Sequence, residues 1–253
     1  MANKKTESKF PSEIIDLPSG GKLYADDHPL RGGKIEIKYM TAKEEDILTS
    51  QNLIKKGVVI DRLLESLILT DGVSVDDMFT GDKNAVMIAV RILAYGPNYE
   101  VEILHPDTSE KVSHTFDLSS LDYKQLSDEI VSNEFEFELP VSKNKVVFKL
   151  LTGKDERNID KELKSLAKLG TGITREMTTR YKNQIISVNG DTDKSVINEF
   201  VDSMLSKDSL SLRKKMNEIT PDIDLTQQIE LGGDEVTVEI PMTVDFFWPS
   251  VWL

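Results

Sequence analysis

The chain contains no cysteine among its 253 residues. This absence excludes disulfides, thiolate zinc sites, iron–sulfur clusters and a cysteine nucleophile. The sequence also lacks any apolar run of the roughly 18–20 residues that a membrane-spanning helix needs. Its first residues, MANKKTESKFPSE, are polar and have no apolar segment of the kind that a secretory signal carries. We therefore expect a cytoplasmic protein without a membrane partner.

Positive charge is scarce relative to negative charge. Lysine and arginine number 31 against 44 aspartates and glutamates, which gives a formal net charge of −13. Binding to phosphate backbones or anionic lipids requires a cationic surface, so this balance disfavours nucleic acid and membrane surfaces as partners. Hydrophobic residues make up 39% of the chain, which is enough for an ordinary globular core.

The hydrophobic pattern changes period several times along the chain, which predicts an α+β fold of helices packed with three β-hairpins. Alternating stretches on either side of polar turns predict the hairpins, at 99–118, 134–152 and 224–241. Apolar spacing of three to four residues predicts the helices, at 42–57, 61–69, 82–96, 119–131, 153–170, 174–190, 193–206 and 209–219. The helix from 42 has a capping box in Thr41 and Glu44.

Composition divides the chain into four segments. We predict a flexible N-terminal arm over 1–14 and an α+β body with two hairpins over 15–153. A polar helical segment follows over 154–219, and a C-terminal hairpin with an aromatic tail packs back on the body over 220–253.

No group of side chains forms a recognisable catalytic set, so we expect a protein that is not an enzyme and holds no cofactor. The one candidate metal site lies around the first hairpin turn, where His105, Asp107 and His114 could bind an ion. These residues give an alternative function, a metal-dependent hydrolase. The other interpretation is an exposed hairpin with two incidental histidines, because no further strong ligand lies nearby in the sequence.

The chain closes on its most apolar stretch, FFWPSVWL at 246–253. Burial of its large aromatic side chains would contribute several kcal/mol. One fate for the stretch is the protein's own core, which suits Phe246 and Phe247. The other is a partner protein, since aromatic anchors dominate interface energetics and a proline-stiffened end loses less entropy on docking. The candidate partner-binding residues are therefore Phe246, Phe247, Trp248, Pro249 and Trp252.

Several segments of the chain resemble the hub assembly proteins of T4-type phage baseplates, the baseplate hub assembly chaperone family. They are IDLPSGGKLY, GGKIEIKYMTAKEEDIL, GVVIDRLLESLI, VRILAYGPNYEVEI, FELP and EIPMTVDFFWP. The resemblance covers roughly 15–153 and 220–249, and 154–219 matches less clearly.

The resemblance carries an implication for the hairpins. Members of that family carry a Cys-x-x-Cys in the first hairpin and another in the last, as in a split zinc ribbon. The matching positions here are His105 to Thr108 and Leu231 to Asp234, and neither holds a cysteine. The resemblance thus implies that the first and last hairpins form a zinc-ribbon-like unit without cysteines and without metal.

The resemblance also implies a role in building the central hub of a contractile-tail baseplate through protein–protein contacts. Baseplate hub proteins and other phage tail proteins would be the partners, and an oligomer of this chain is compatible with such a role. The expected location is the host cytoplasm during assembly, and the tail baseplate of the virion if the protein stays bound. A transient chaperone and a permanent structural subunit are both open at this point.

Overall fold

The computed structural model describes residues 11–105, 111–168, 174–231, 234–242 and 244–247. In this part of the chain, α-helices and short β-strands alternate, which confirms the α+β class. The helices are α1 (Ala42–Leu48), α2 (Gln51–Lys56), α3 (Val59–Leu67), α4 (Thr80–Tyr95), α5 (Gly153–Lys168), α6 (Glu176–Gln184), α7 (Lys194–Ser203) and α8 (Ser206–Ile219). The strands are β1 (Ser12–Asp16), β2 (Lys34–Lys38), β3 (Asn98–Leu104), β4 (Lys111–Asp117), β5 (Tyr123–Lys124), β6 (Phe135–Glu138), β7 (Lys145–Phe148), β8 (Ile185–Val188), β9 (Asp222–Ile223), β10 (Thr226–Leu231) and β11 (Asp234–Glu239).

The strands form small antiparallel sheets instead of one large one. The three predicted hairpins are present as β3–β4, β6–β7 and β10–β11. Strand β8 extends the second hairpin to a three-stranded sheet with the strand order β6-β7-β8. Strand β1 pairs with β2, and β5 pairs with β9. No helix in the described ranges has the length and apolar character needed to span a bilayer.

Two predicted helices are replaced wholly or partly by other structure, and a third, predicted over 42–57, is interrupted at Thr49 and Ser50 between α1 and α2. The helix predicted over 119–131 is wrong, because only a 3₁₀ turn at Leu118–Ser120 forms there and β5 follows it. The helix predicted over 174–190 ends at Gln184, and Ile185–Val188 form strand β8. In both places a distant strand provides backbone hydrogen bonds, and this pairing outweighs the local helical pattern.

Most of the buried apolar side chains form one cluster, which includes residues from both the body and the helical segment. The helical segment contributes to it through Tyr181, Ile197, Val201 and Leu212. Strand β8 from the same segment pairs with β7, and Gly153 donates its N–H to the Met78 carbonyl at 2.9 Å. The division into four segments stays a prediction, and its N-terminal arm over 1–14 lies largely outside the described residues.

A buried polar cluster fixes the glycine-rich loop of LPSGGKLY against α4. The carboxylate of Asp82 accepts hydrogen bonds from the Ser19 N–H at 2.9 Å, the Ser19 hydroxyl at 2.7 Å and the Tyr24 hydroxyl at 2.7 Å. Asp82 and Ser19 are completely buried. Burial raises the pKa of Asp82, and the hydrogen bonds from Ser19 and Tyr24 oppose that shift only in part. This loop is therefore a structural element of the body.

A second buried carboxylate, Glu44, joins β2, α1 and α3. It forms the predicted capping box with Thr41, accepts a hydrogen bond from the Ser66 hydroxyl at 2.8 Å and pairs with the Lys38 ammonium at 2.7 Å. Burial alone would raise the pKa of Glu44, but the hydrogen bonds from Lys38, Thr41 and Ser66 prevail and lower it to about 2. Glu44 thus holds its negative charge inside the fold.

We expect acid to weaken the fold partly through this residue. Because the folded-state pKa of Glu44 lies below its unfolded value, its contribution to the free energy of unfolding is present above about pH 4.5 and is lost as the pH falls toward about 2. Glu44→Gln should cost about 2–4 kcal/mol at pH 7, because Lys38 loses its carboxylate. Urea unfolding from pH 7 to pH 3 measures both effects. An equally steep pH dependence in Glu44→Gln would contradict the assignment.

Candidate partner-binding site at the carboxyl terminus

The end of helix α4 and the start of β3 together hold the last described residues of the chain. The sequence RILAYGPNY spans Arg91 to Tyr99, and its Gly-Pro pair ends the helix between Tyr95 and the first residue of β3. This turn brings Arg91 of the helix close to Tyr99 of the strand. Both side chains contact the C-terminal segment at Phe246.

Arg91 is the central contact of this site. It is buried (4% exposed), and its Nε donates to the carbonyl oxygen of Phe246 at 3.0 Å. Its Nη1 donates to the carbonyl oxygen of Gly96 at 3.3 Å, and its guanidinium lies over the rings of Tyr95 and Tyr99 at 5.0 and 5.8 Å from their centroids. Burial lowers the pKa of Arg91 from its ordinary value, but an arginine stays protonated. The buried charge is thus satisfied by carbonyl groups and aromatic faces.

Aromatic packing completes the site. The Tyr99 ring meets the Phe246 ring edge to face at 5.0 Å, and the Phe246 ring meets that of Phe247 at 5.2 Å. The Tyr99 hydroxyl donates to the carbonyl oxygen of Pro241 at 3.1 Å. We call the set Arg91, Tyr99, Phe246 and Phe247 the tail anchor. Together with the bond from Tyr99 to Pro241, it holds the last described turn, a 3₁₀ helix at Val244–Phe247, and the chain just before that turn.

Two of the five predicted partner-binding residues are buried in the structure. Phe246 and Phe247 are 0% and 1% exposed and pack in the core, and a part for them in partner binding stays a prediction. Trp248, Pro249 and Trp252 lie outside the described residues, and their part in partner binding stays a prediction. The structure shows what precedes this segment. Trp248 follows directly after Phe246 and Phe247, whose side chains are buried.

The histidines that gave the alternative metal site are separated. His114 lies opposite Val101 in the β3–β4 register, and His105 follows Val101 by four residues. At about 3.4 Å per residue, this places the two positions about 14 Å apart along the hairpin, too far to share one ion. His105 is buried, His114 packs against Phe116, and Asp107 lies outside the described residues. Among the residues that the structure describes, no cluster of three or more potential ligands occurs.

The first and last hairpins are neighbours at their bases. The Tyr99 hydroxyl of β3 contacts Pro241, two residues beyond β11, but the two hairpins belong to separate sheets. Their tips, 106–110 and 232–233, lie outside the described residues. The zinc-ribbon-like unit therefore stays a prediction, while the mixed helix and hairpin class is confirmed.

Sequence reasoning missed two residues of structural consequence. Arg91 lies in the apolar run VMIAVRILAY, and an arginine within such a run is a signal that it packs inside. Asp82 was given no role of its own, because it is simply the first residue of the helix predicted over 82–96. Its burial by Ser19 and Tyr24 depends on residues about 60 positions away, which no local pattern reveals.

Comparison with known proteins identifies the family. A family model described as "T4 bacteriophage base plate protein" matches residues 11–248, which includes the helical segment 154–219. Comparisons with curated proteins and with solved structures give no match. The match covers nearly the whole chain and both parts of the tail anchor. The chain therefore belongs to the T4 bacteriophage base plate protein family.

Proposed function

We propose that the protein assembles, or forms part of, the central hub of a contractile-tail baseplate, and that its C-terminal tail binds a hub or other tail protein. Membership of the baseplate family is the observation that carries this proposal. The family supports a location in the tail of the virion and contacts with other tail proteins. The hub itself, and a passage through the host cytoplasm during assembly, are our finer proposals.

The tail anchor supports the choice of the binding segment. A binding residue loses less entropy on docking when the chain beside it is already fixed. Phe246 and Phe247 fix that chain, because they are buried and their backbone is held by Arg91. Trp248 follows immediately, and Pro249 and Trp252 complete a short aromatic segment of the type that dominates interface energetics.

The charge of the chain supports a particular kind of partner. With a net charge of −13, the protein repels acidic surfaces and attracts basic ones. Electrostatic complementarity raises association rates and suppresses wrong partners more than it raises affinity. We therefore propose that the tail binds a tail protein with a basic surface around an apolar pocket.

A truncation after Phe247 tests the proposal. Removal of residues 248–253 should leave the free energy of unfolding unchanged within about 0.5 kcal/mol, because the tail anchor is intact. The same truncation should abolish co-purification of hub proteins from infected cells, measured by mass spectrometry. The paired variant Trp248→Ala/Trp252→Ala should reproduce this loss in the full-length chain.

The control is Leu210→Ala, which removes an exposed apolar side chain on α8, outside the proposed binding segment. It should retain the partner. A truncated protein that folds and still co-purifies with the hub proteins would overturn the tail as the binding segment. Detection of the protein in purified virions separates a permanent subunit from a transient assembly factor.

A further inference from the structure

Strand β1 is the edge of its sheet. Its one described neighbour is β2, and β2 itself is covered on the far side by residues 68–70. There the Leu69 N–H donates to the Glu36 carbonyl at 2.8 Å, and the Glu36 N–H donates to the Thr70 hydroxyl at 2.8 Å. Within the described part of the chain, β1 is therefore the open edge of this sheet.

The hydrogen-bond pattern fixes which groups β1 directs outward. Leu17 donates its N–H to the Gly33 carbonyl at 2.9 Å, and the Pro11 carbonyl accepts from the Tyr39 N–H at 3.0 Å. In an antiparallel ladder the bonded positions alternate, so the odd-numbered residues of β1 point their backbone groups toward β2. The even-numbered residues, Ser12, Ile14 and Asp16, direct their N–H and C=O groups to the open edge. No other described residue hydrogen-bonds to these groups.

The side chain at the centre of this edge is apolar and exposed. Ile14 is 65% exposed, and it lies on the sheet face opposite to the buried Ile35 and Ile37. An unpaired edge strand with an exposed β-branched residue is a template for pairing with another strand. Natural edges are often protected by lysine or proline within the strand, and β1, with the sequence SEIID, has neither.

We propose that two copies of this protein pair through β1, antiparallel about a two-fold axis at Ile14. In this register Ile14 faces Ile14 of the second copy, Ser12 faces Asp16, and Glu13 faces Ile15. No two like charges stand opposite each other, and Ser12, whose hydroxyl donates to the Glu36 carboxylate at 2.7 Å, is an uncharged residue opposite Asp16. The even-numbered residues form the hydrogen-bonded pairs, which matches the outward direction of their backbone groups. Pro18 ends the ladder, because it has no N–H to offer at the next outward position.

Local charge favours a second copy at this edge although the whole chain is strongly acidic. Strands β1 and β2 carry two lysines and three carboxylates, a net charge of −1 against −13 for the chain. Asp16 is moreover paired with Lys34 at 2.6 Å, and the local net charge is −2 when Glu44, the partner of Lys38, is counted as well. Charges farther away than about 10 Å are screened at ordinary ionic strength. The edge is thus a region where two acidic molecules can meet with little repulsion.

The contact is short, so we expect a weak dimer. Five residues from each copy bury less than the roughly 1,200 Å² that marks a stable interface. We expect a dissociation constant in the micromolar range or weaker, which sedimentation analysis over a wide concentration range measures. This pairing needs no tail protein, so its failure would leave the proposed baseplate function untouched.

A single cysteine in the cysteine-free chain tests the register. Ile14→Cys should form a disulfide dimer on mild oxidation, because the Cα atoms of a hydrogen-bonded antiparallel pair lie about 5.5 Å apart, within the range that a disulfide bridges. Leu210→Cys, at an exposed position on α8, is the matched control and should cross-link at least tenfold more slowly. Equal rates for the two variants would overturn the proposal.

A proline at the same position tests the pairing by an independent route. The Ile14 N–H points away from β2, so Ile14→Pro removes an outward donor and leaves the bonds between β1 and β2 in place. The variant should stay folded by circular dichroism and become monomeric at every concentration. A dimer that persists in Ile14→Pro would overturn the proposal. So would a wild-type chain that stays monomeric at protein concentrations up to about 1 mM, which corresponds to the weakest dissociation constant that the proposal allows. If wild-type chains stay monomeric but Ile14→Pro loses hub proteins in co-purification, the edge serves a different strand, and the self-pairing is wrong.

Discussion

Gly81→Ala is expected to destabilise the protein by at least about 3 kcal/mol or to prevent folding. Gly81 is the second residue of α4, and a Cβ atom there would overlap the carbonyl oxygen of Pro221 and lie 2.8 Å from the Cα of Asp222. All the opposing atoms belong to the backbone, so no side-chain rotation can relieve the overlap. The first turn of α4 would have to move away from β9, and it would carry Asp82 away from Ser19 and Tyr24. Urea unfolding measures the loss.

Gly32→Ala is the matched control for that substitution. Nothing lies within 4 Å of a Cβ atom at Gly32, and its backbone is in a region that alanine adopts freely. The control should therefore lie within about 0.5 kcal/mol of the wild type. If Gly81→Ala unfolds at the same urea concentration as Gly32→Ala, the close packing of α4 on β9 is wrong.

Phe246→Ala should cost about 3–5 kcal/mol, the usual range for loss of a fully buried phenylalanine. The substitution removes the edge-to-face contacts with Tyr99 and Phe247 and leaves a cavity beside Arg91. It should also reduce recovery of hub proteins, because the chain before Trp248 loses its fixed position. Thermal unfolding and co-purification from infected cells measure the two effects.

The truncation after Phe247 separates these two effects. It removes the proposed binding segment but keeps Phe246, so binding should be lost without a loss of stability. Leu210→Ala again serves as the control for removal of an apolar side chain. A cost below about 1 kcal/mol for Phe246→Ala would show that the C-terminal turn is only loosely held, and the tail anchor would be contradicted.

Local signals were sufficient for those parts of the fold that depend on nearby residues. The capping box at Thr41 and Glu44 predicted the start of α1, and the apolar spacing of RLLESL predicted α3. Alternation and polar turns predicted all three hairpins. In each of these the hydrogen bonds join residues fewer than about 20 positions apart, so the sequence pattern carries the information directly.

Long-range pairing was beyond the reach of the same signals. Strand β5 pairs with β9 across about 100 residues, and β8 pairs with β7 across about 40. The segments that form β5 and β8 have helical spacing, and only the distant partner strand makes them extended. The predicted helix over 119–131 was wrong for this reason.

The candidate site could likewise be predicted from the sequence only in part. The aromatic composition of 246–253 marked the segment as important and left two fates open for Phe246 and Phe247. The choice between them depends on Arg91 and Tyr99, which lie about 150 residues earlier in the chain. No pattern within the tail could indicate that these two helix and strand residues form its receiving surface.

The contact between Arg91 and Phe246 also sets an order in time. A ribosome synthesises Arg91 155 residues before Phe246, so the contact can form only after the whole stretch between them has been made. A nascent chain that has not yet reached Phe246 leaves the surface formed by Arg91 and Tyr99 uncovered. Until Phe246 packs there, a charged and aromatic surface that is buried in the folded protein stays open to other apolar segments.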